Sequence, residues 1–172
     1  MNKEKVKKII KELYPYIVII IVVVLFRTFI ATPVRVDGDS MDSTLKDGDI
    51  LILNKLNNSY ERFDVVVINN DGTKLIKRII GLPGEYIEYI DNDLYINGKK
   101  IKDIETSRTA DFSLKELYNL EEIPEGYYFV LGDNRGNSVD SRDYRVGLVK
   151  ETEIEGITTI RLFPFNKIGN FN

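Results

Sequence analysis

The chain has 172 residues, of which 43% are hydrophobic and 30% are charged, and its formal net charge is -3. That length suits one domain of ordinary size with a small additional segment, and the charge provides no footprint for nucleic acid, which we do not expect as a partner. Cysteine and histidine are absent from the sequence, which excludes disulfides, thiol nucleophiles, the usual zinc ligands and a histidine base, so we expect neither a metal nor a cofactor.

The first element predicted from the sequence is a membrane-spanning helix over residues 14–31. The apolar run from Tyr14 to Phe26, with its continuation to Ile30, is about 17 residues long and would span about 26 Å as a helix, close to the lower limit for crossing a bilayer. Arg27 lies within a turn of the outer end, where its long side chain can reach the headgroups. We therefore expect the lipid bilayer to be a partner of this segment.

Charges on the two sides of this segment predict its orientation. Lysines are in excess before it, and acidic residues are in excess immediately after it. Positive charge favours the cytoplasmic side. We therefore expect a single-pass protein of the plasma membrane, with residues 1–13 in the cytoplasm and residues 32–172 outside it. The residues concerned are Lys3, Lys5, Lys7, Lys8 and Lys11 with Glu4 and Glu12 before the span, and Arg35, Asp37, Asp39 and Asp42 after it.

Two alternatives also explain an apolar N-terminal segment. A cleavable signal peptide has a basic start, but its apolar region is about 7 to 15 residues long and ends in a small-x-small site. Here Ala31 is followed by Thr32 and Pro33, which does not fit such a site. A buried helix of a soluble domain is the second alternative, and the length of the run and the uneven lysines argue against it.

From Pro33 onward the sequence predicts strands. Short apolar stretches are separated at close intervals by Gly, Asp and Asn, a spacing that favours strands over helices. Only Ser113–Asn119 indicates a helix. The predicted fold is mainly β, with one transmembrane helix followed by an all-β domain in which residues 85–125 form a small excursion. The predicted strands are Val34–Val36, Asp49–Leu53, Asp64–Ile68, Leu75–Ile80, Tyr86–Ile90, Asp93–Ile96, Tyr127–Leu131 and Ile157–Leu162.

Three polar blocks between the strands contain residues capable of catalysis. A serine hydroxyl attacks an amide only if a base removes its proton, and without histidine the available bases are Lys, Asp and Glu. We call these segments the first block, Gly38-Asp39-Ser40-Met41-Asp42-Ser43-Thr44-Leu45, the second block, Lys74-Leu75-Ile76-Lys77-Arg78-Ile79-Ile80-Gly81-Leu82-Pro83-Gly84, and the third block, Gly132-Asp133-Asn134-Arg135-Gly136-Asn137-Ser138-Val139-Asp140-Ser141-Arg142.

Lys77 has the local sequence that a lysine base requires. At its unperturbed pKa about one lysine in 2,000 is neutral at pH 7, so a lysine base must be desolvated towards a pKa of about 7 to 8. The apolar neighbours of Lys77 in the second block can exclude water and lower its pKa. Taken alone, however, Lys77 also fits an exposed edge-strand lysine, and Ser40 fits a turn serine that caps the next segment.

The three blocks resemble those of type I signal peptidases, the leader peptidases of the bacterial secretory pathway. The resemblance extends from the apolar N-terminal segment through the blocks to Arg161-Leu-Phe-Pro-Phe-Asn-Lys-Ile-Gly169. It implies an extracytoplasmic all-β catalytic domain and a membrane-bound serine endopeptidase that removes signal peptides from secretory preproteins, cutting after a small-x-small motif. It also implies that Ser40, which precedes Met41, is the nucleophile and that Lys77 is the general base.

The resemblance further implies that the third block supports this Ser/Lys dyad. Ser138 is expected to hydrogen-bond near the lysine amine, Asp140 to pair with Arg142, and Asp133 to form a second buried pair with Arg78. A neutral lysine needs a hydrogen-bond partner and buried charges need opposite charges, which is consistent with these roles. A solvated loop with exposed ion pairs is the alternative.

The chain before Ser40 is expected to lead into a substrate cleft. Period-2 alternation in an extended chain would place Val34, Val36, Gly38 and Ser40 on one side, and an extended substrate could add to the strand edges. The resemblance implies that small substrate side chains are read one and three residues before the cut. Plain core packing is the alternative for the residues that we assign to the cleft, which are Val34, Val36, Leu45, Leu75 and Ile76.

Two positions depart from the family pattern. The family usually has proline before the Thr-Leu pair of the first block, where this chain has Ser43, which loosens the turn but removes no reactive group. Some members carry a serine two residues before the nucleophile to help bind the oxyanion, and this chain has Gly38 there. The oxyanion is therefore expected to depend on the Ser40 N–H and on groups that Gly38 and Asp39 present.

Two other functions remain open on the sequence. A non-catalytic, membrane-anchored assembly or binding module related to the family would be expected to lack the nucleophile or the base, and both Ser40 and Lys77 are present. A soluble self-cleaving Ser/Lys regulator would carry a DNA-binding head, where this chain has an apolar segment.

Overall fold

The structure is a computed structural model that describes residues 3–56, 59–104 and 107–171. Met1, Asn2 and Asn172, at the ends of the predicted ranges 1–13 and 32–172, lie outside the described residues, as do the side chains of Lys3, Glu4, Lys5 and Lys8. One long helix is followed by two β-sheets. The predicted mainly-β fold with one apolar N-terminal helix is therefore confirmed.

Helix α1 spans Lys3–Phe29 and contains the predicted membrane segment 14–31 except for its last two residues, since Ala31 already begins the first strand. Its part from Ile10 to Phe29 has 20 residues and a mean hydropathy of 2.0, and none of it is buried against the rest of the protein. A helix of this length and composition can cross a membrane. The alternative of a buried core helix is wrong, because the apolar side chains contact no core.

The strands follow in short succession after α1. Each predicted strand overlaps an observed one, and the four that were not predicted have two or three residues, too few for a recognisable pattern. In chain order they are β1 (Ala31–Arg35), β2 (Ile50–Asn54), β3 (Val65–Asn70), β4 (Thr73–Gly81), β5 (Ile87–Ile90), β6 (Asp93–Ile96), β7 (Lys99–Ile101), β8 (Phe112–Ser113), β9 (Tyr127–Leu131), β10 (Val149–Lys150), β11 (Ile154–Phe163) and β12 (Gly169–Asn170).

The large sheet has the strand order β1-β2-β11-β3-β4-β9-β10, and β12 pairs with β11. Successive residues of β3 belong to different apolar clusters, so the sheet is covered on both faces. One cluster contains Val34, Val36, Met41, Leu45, Leu51, Leu53, Val65, Val67 and Ile76. The other contains Val66, Ile68, Ile79, Tyr128, Val130, Val149, Ile154 and Ile157.

The small sheet, in the order β7-β6-β5-β8, lies within the range predicted as an excursion. It shares an apolar core with β4 and β9, in which Tyr89, Phe112 and Phe129 are buried. Helix α2 (Leu114–Tyr118) follows β8, at the position of the predicted helix. Ser113 caps α2 by accepting a hydrogen bond from the Glu116 N–H, which explains where the helix begins.

Strands β1 and β4 of the large sheet both have unpaired edges. Strand β1 lies at the end of the sheet and pairs only with β2. Strand β4 pairs with β3 from Thr73 to Arg78 but with β9 only from Arg78 to Gly81. The first half of β4 therefore has a free edge with unused backbone hydrogen-bonding groups.

Candidate active site

The side chains of Ser40 and Lys77 meet. The Nζ atom of Lys77 lies 2.6 Å from the Oγ atom of Ser40, which is hydrogen-bonding distance. Lys77 lies within β4, and only 2% of its surface is exposed. Ser40 lies in the turn that follows β1 and is half-buried. The alternative of an exposed edge-strand lysine is therefore wrong for Lys77.

Burial lowers the pKa of Lys77 to about 8 from its ordinary value of 10.5. Loss of solvation is the largest cause because it penalises the charged ammonium. The carboxylates of Asp140 and Asp133 oppose this effect, and the Arg142 guanidinium adds to it. With a pKa near 8, about a tenth of the molecules carry a neutral amine at pH 7, compared with about one in 2,000 for an exposed lysine. The arrangement thus places a hydroxyl beside an amine that can accept its proton.

A turn, and not strand alternation, positions Ser40. Strand β1 ends at Arg35, and Gly38 has a φ of 88°, in the left-handed region that favours glycine. The Gly38 N–H donates to Asp47 Oδ1 over 2.9 Å, which holds the chain in this bend. The prediction that alternation carries one face from Val36 to Ser40 is therefore wrong, because the extended conformation ends before Gly38.

The third block packs against this turn. The Asn134 N–H donates to the Ser40 carbonyl oxygen over 3.0 Å, and the Asn134 side-chain amide donates to the Asp39 carbonyl oxygen over 3.0 Å. The Asn137 amide donates to the Asp39 carboxylate over 3.0 Å. A Cβ atom on Gly132 would overlap the Ser40 carbonyl oxygen and the hydroxyl of a neighbouring serine. Glycine at this position thus allows the two segments to approach closely.

The neighbouring serine is Ser138, for which a contact with the lysine amine was predicted. Its hydroxyl oxygen is buried and has no hydrogen-bond partner among the residues that the structure describes. Lys77 Nζ is instead hydrogen-bonded to Ser40. The predicted bond between Ser138 and Lys77 is therefore not among the described contacts, although Ser138 lies beside the close approach of Gly132 and Ser40.

Both ion pairs predicted for the third block are present. Arg78 and Asp133 have side chains that are each 1% exposed, and the guanidinium donates two hydrogen bonds of 2.8 and 2.6 Å to the carboxylate. Arg142 donates to Asp140 over 2.9 and 2.8 Å, and Asp140 also accepts the Gly132 N–H over 3.0 Å. The solvated-loop alternative is wrong for these pairs, which fix the third block from within.

The residues predicted to form a cleft lie on two faces of the large sheet. Val34, Val36, Leu45 and Ile76 share one apolar cluster, whereas Leu75 packs against the cluster on the other face. Neighbouring residues of a strand point to opposite faces, so Leu75 and Ile76 cannot line the same wall. The structure therefore brings together all of these residues except Leu75.

A cavity of about 710 Å³ lies between β1 and the free edge of β4. Of the residues predicted for the cleft, Val34 lines it. Its other lining residues are Thr32, Pro33, Arg35, Asp37, Thr73 and Lys74. A larger cavity of about 930 Å³ is lined by residues of the small-sheet region and of the third block, among them Arg108, Arg135 and Arg142. Neither Ser40 nor Lys77 lines either cavity, and we regard the smaller one as the candidate cleft because its lining comes from β1 and β4, the strands that lead to the two residues.

Sequence reasoning did not identify several residues around the dyad. Thr44 and Asn134 lie inside the blocks, but their partners are distant in the chain and no periodic pattern indicates them. Arg161 lies in the C-terminal segment used for the resemblance and donates to the Thr44 carbonyl oxygen over 2.5 Å. Across the described ranges, no group of three or more acidic side chains is arranged to hold a metal ion.

Comparisons with known proteins identify a family and a related structure. Residues 9–163 match the family model of the signal peptidases, peptidase S26. A signal peptidase I of Bacillus caldolyticus is 38% identical over 183 residues, with 97% of each chain covered. The signal peptidase I S of Bacillus subtilis strain 168 is 35% identical over 181 residues, covering 99% of this chain and 98% of that protein. A signal peptidase I crystal structure from Enterococcus faecalis V583 is 39% identical, has a TM-score of 0.53, and covers 58% of this chain and 97% of its own.

Proposed function

This chain belongs to the peptidase S26 family of signal peptidases, and we propose that its reaction uses Ser40 as the nucleophile and Lys77 as the general base. It is a membrane-bound serine endopeptidase that removes N-terminal signal peptides from preproteins. The observation that carries the assignment of the two residues is the 2.6 Å distance between Lys77 Nζ and Ser40 Oγ in a buried site. Both conditions are needed for a lysine base, because the amine must be neutral and within reach of the hydroxyl.

The first half of the reaction forms an ester on Ser40. The neutral Lys77 amine takes the hydroxyl proton as Ser40 Oγ attacks the carbonyl carbon of the scissile amide. The resulting ammonium gives that proton to the leaving nitrogen when the C–N bond breaks. The mature protein leaves with a new amino terminus, and the signal peptide remains bound to Ser40 as an acyl ester.

The second half returns the enzyme to its starting state. A water molecule gives a proton to the Lys77 amine as its oxygen attacks the ester carbonyl. When the ester bond breaks, the proton passes to Ser40 Oγ, and the signal peptide leaves with a free carboxyl group that loses its remaining proton to solvent. Lys77 therefore acts as base and acid in turn, and no other proton carrier is required.

The backbone N–H of Ser40 is the group that we assign to the developing oxyanion. The Gly38 N–H is engaged with Asp47 Oδ1, whereas the Ser40 N–H donates to no acceptor within the described part of the chain. Asp39 precedes Ser40, and hydrogen bonds from Asn134 to its carbonyl oxygen and from Asn137 to its carboxylate fix the peptide that carries the Ser40 N–H. A fixed peptide at this point supports the pre-organised donor that oxyanion stabilisation requires.

The substrate is proposed to bind as an extended strand between the free edges of β1 and β4. Both edges offer unpaired backbone groups, and the cavity between them is large enough for a peptide. Val34 and Ile76, each 9% exposed, are the apolar residues on which we propose that small side chains one and three residues before the cut rest. Val36 and Leu45 are 3% and 0% exposed and pack in the same core, as the alternative of plain core packing predicts. Leu75 is not part of this core because it packs on the opposite face.

We assign residues 14–31 to the membrane, residues 1–13 to the cytoplasm and residues 32–172 to the outer side. The lysine excess before the span supports this orientation. The link between helix and catalytic domain is short, since α1 ends at Phe29 and β1 begins at Ala31. Lys55 Nζ also donates to the carbonyl oxygens of Arg27 and Thr28 over 3.3 Å. The dyad would therefore act close to the membrane surface, where a secretory preprotein presents its signal peptide.

Cleavage of a preprotein by the purified full chain tests this function. The protein in detergent is incubated with a secretory preprotein, and the new amino terminus is sequenced. We expect a cut after a small-x-small motif by the wild type and none by Ser40→Ala. An equal rate of the same cut by Ser40→Ala, or cleavage at unrelated sites, would refute the assignment. The non-catalytic alternative predicts no cleavage by either protein.

A further inference from the structure

We propose that Thr44 is a positioning residue for this reaction, because its side chain joins the turn that carries Ser40 to the carboxylate that holds the strand of Lys77. This role presupposes the proposed functions of Ser40 and Lys77. Thr44 touches neither side chain of the dyad in the described hydrogen bonds, so its effect would be exerted through the segments that carry them.

One carboxylate links the two segments of the dyad. The Thr44 hydroxyl donates to Asp133 Oδ2 over 2.6 Å, and Arg78 Nη2 donates to the same oxygen over 2.6 Å. Arg78 Nε donates to the other oxygen of Asp133 over 2.8 Å. Arg78 is the neighbour of Lys77 in β4, and Thr44 lies in the turn with Ser40. Asp133 therefore ties the position of the turn to that of the strand.

The backbone of Thr44 is held as firmly as its side chain. Its carbonyl oxygen accepts a hydrogen bond from Arg161 Nη2 over 2.5 Å. Arg161 Nε also lies 3.0 Å from Asp49 Oδ2 in an ion pair, without the alignment of a hydrogen bond. Asp49 Oδ2 accepts the Lys46 N–H over 3.1 Å. The end of the turn is thus attached to β11 as well as to the third block.

The start of the turn is attached to the same part of the third block. The Asn134 N–H donates to the Ser40 carbonyl oxygen over 3.0 Å, and the Asp133 N–H lies 3.4 Å from Met41 Sδ. Loss of the Thr44 hydroxyl would leave the Arg78–Asp133 pair intact but detach the far end of the turn from the third block, so that its attachment to β11 through Arg161 would have to hold it without the third block. Ser40 could then move relative to Lys77, and a displacement of about 1 Å can lower a rate about 100-fold.

The chain offers a matched control for removing this hydroxyl. Thr158 is fully buried, and its hydroxyl has no hydrogen-bond partner in the described structure. Thr158→Val and Thr44→Val make the same chemical change, but only the second breaks a hydrogen bond. Thr44→Ser keeps the hydroxyl and loses only a methyl group. These variants separate the hydrogen bond from the general effect of replacing a threonine.

The experiment measures kcat and KM for preprotein cleavage by the full chain in detergent, with thermal unfolding as a check on folding. We expect Thr44→Val to lower kcat about 10- to 100-fold with KM changed less than about twofold. Thr44→Ser should restore most of kcat, and Thr158→Val should resemble the wild type. If Thr44→Val does not fold, Thr44→Ala is compared with Thr44→Ser in the same way.

Two results would overturn the role of Thr44 and leave the dyad standing. The first is a kcat of Thr44→Val equal to that of Thr158→Val. The second is a decrease in kcat that is as large in Thr44→Ser as in Thr44→Val. In both cases Ser40→Ala must be inactive in the same assay. An active Ser40→Ala protein would instead overturn the proposed function itself. The two failures are therefore distinguished by one set of proteins.

Discussion

The side-chain nitrogen of Lys77 and the hydroxyl oxygen of Ser40 are 2.6 Å apart, although the two residues are separated by 37 positions in the chain. Ser40 lies in the turn after β1 and Lys77 lies within β4, so tertiary packing alone brings them together. The same packing buries the amine and lowers its pKa to about 8. Burial of β4 thus provides both the geometry and the protonation state that proton transfer from a serine requires.

The pKa of Lys77 predicts how the rate of cleavage depends on pH. Only the neutral amine can take the Ser40 proton, so kcat/KM should rise with pH along a limb whose midpoint lies near 8. The limb is measured with a fixed preprotein and constant ionic strength between about pH 6 and pH 10, where a free lysine would still be titrating. A midpoint near the ordinary lysine value of 10.5 would show that Lys77 is not a desolvated base.

Burial of Lys77 also predicts a change in stability when the charge is removed. Its folded-state pKa of about 8 lies below the ordinary 10.5, so between these values the unfolded chain binds more protons and wild-type stability rises with pH. Below about pH 8 the buried charged amine lowers the free energy of unfolding by its full amount, at most about 3 kcal/mol. Lys77→Met should therefore be inactive but more stable than the wild type at about pH 7, and the difference should shrink towards about pH 10.

Thermal unfolding of both proteins in the same detergent at the two pH values measures this difference. Methionine has a similar volume and no charge, so the comparison changes little besides the amine. An unfolding midpoint of Lys77→Met below that of the wild type at neutral pH would contradict the assignment of a stability penalty to the buried amine.

The backbone at Ser43 predicts that proline is not accepted there. Ser43 has a φ of 114°, and its N–H donates to Asp42 Oδ1 over 3.0 Å. Proline fixes φ near -65° and has no N–H, so Ser43→Pro should lower the free energy of unfolding by about 1 to 3 kcal/mol. Ser43→Gly should lose less stability than Ser43→Pro, because glycine accepts a positive φ and keeps its N–H. Equal unfolding midpoints for the proline variant and the wild type would show that the turn adopts another conformation.

The proposed orientation predicts where an external protease can act. Protease added to intact cells from which the cell wall has been removed should digest residues 33–172 and leave an N-terminal fragment that contains the span. Antibodies against the two ends of the chain follow the fragments. If the catalytic part survived in intact cells and was digested only after lysis, the orientation would be the reverse.

The strands could be predicted because their apolar stretches are local features of the sequence. Positions that depend on backbone conformation could not. Alternation fails at Gly38, where a φ of 88° ends the extended chain, and Asp37-Gly38, a common turn dipeptide, is a local signal that the alternation argument does not use. Alternation separates Leu75 from Ile76, although our assignment of cleft residues from the sequence includes both. The local pattern was the better guide at that point.

The candidate site was predictable in its residues but not in its connections. Ser40, Lys77 and the Arg78–Asp133 pair follow from the three blocks and their resemblance to a family. The link from Thr44 to Asp133 joins residues 89 positions apart, and both are polar residues of a kind that is common in loops. Long-range hydrogen bonds between such residues have no periodic signature, so only the structure reveals that one carboxylate holds both halves of the dyad.

The most direct test of the dyad is the rate of preprotein cleavage by folded Lys77→Ala protein. Lys100→Ala is the matched control, because the Lys100 side chain is 59% exposed and lies on the small sheet. We predict that Lys77→Ala lowers kcat by about three orders of magnitude or more, that Lys77→Arg does not restore it because a guanidinium stays protonated, and that Lys100→Ala cleaves at the wild-type rate. Cleavage by folded Lys77→Ala at a rate close to that of Lys100→Ala would show that another group takes the proton from Ser40.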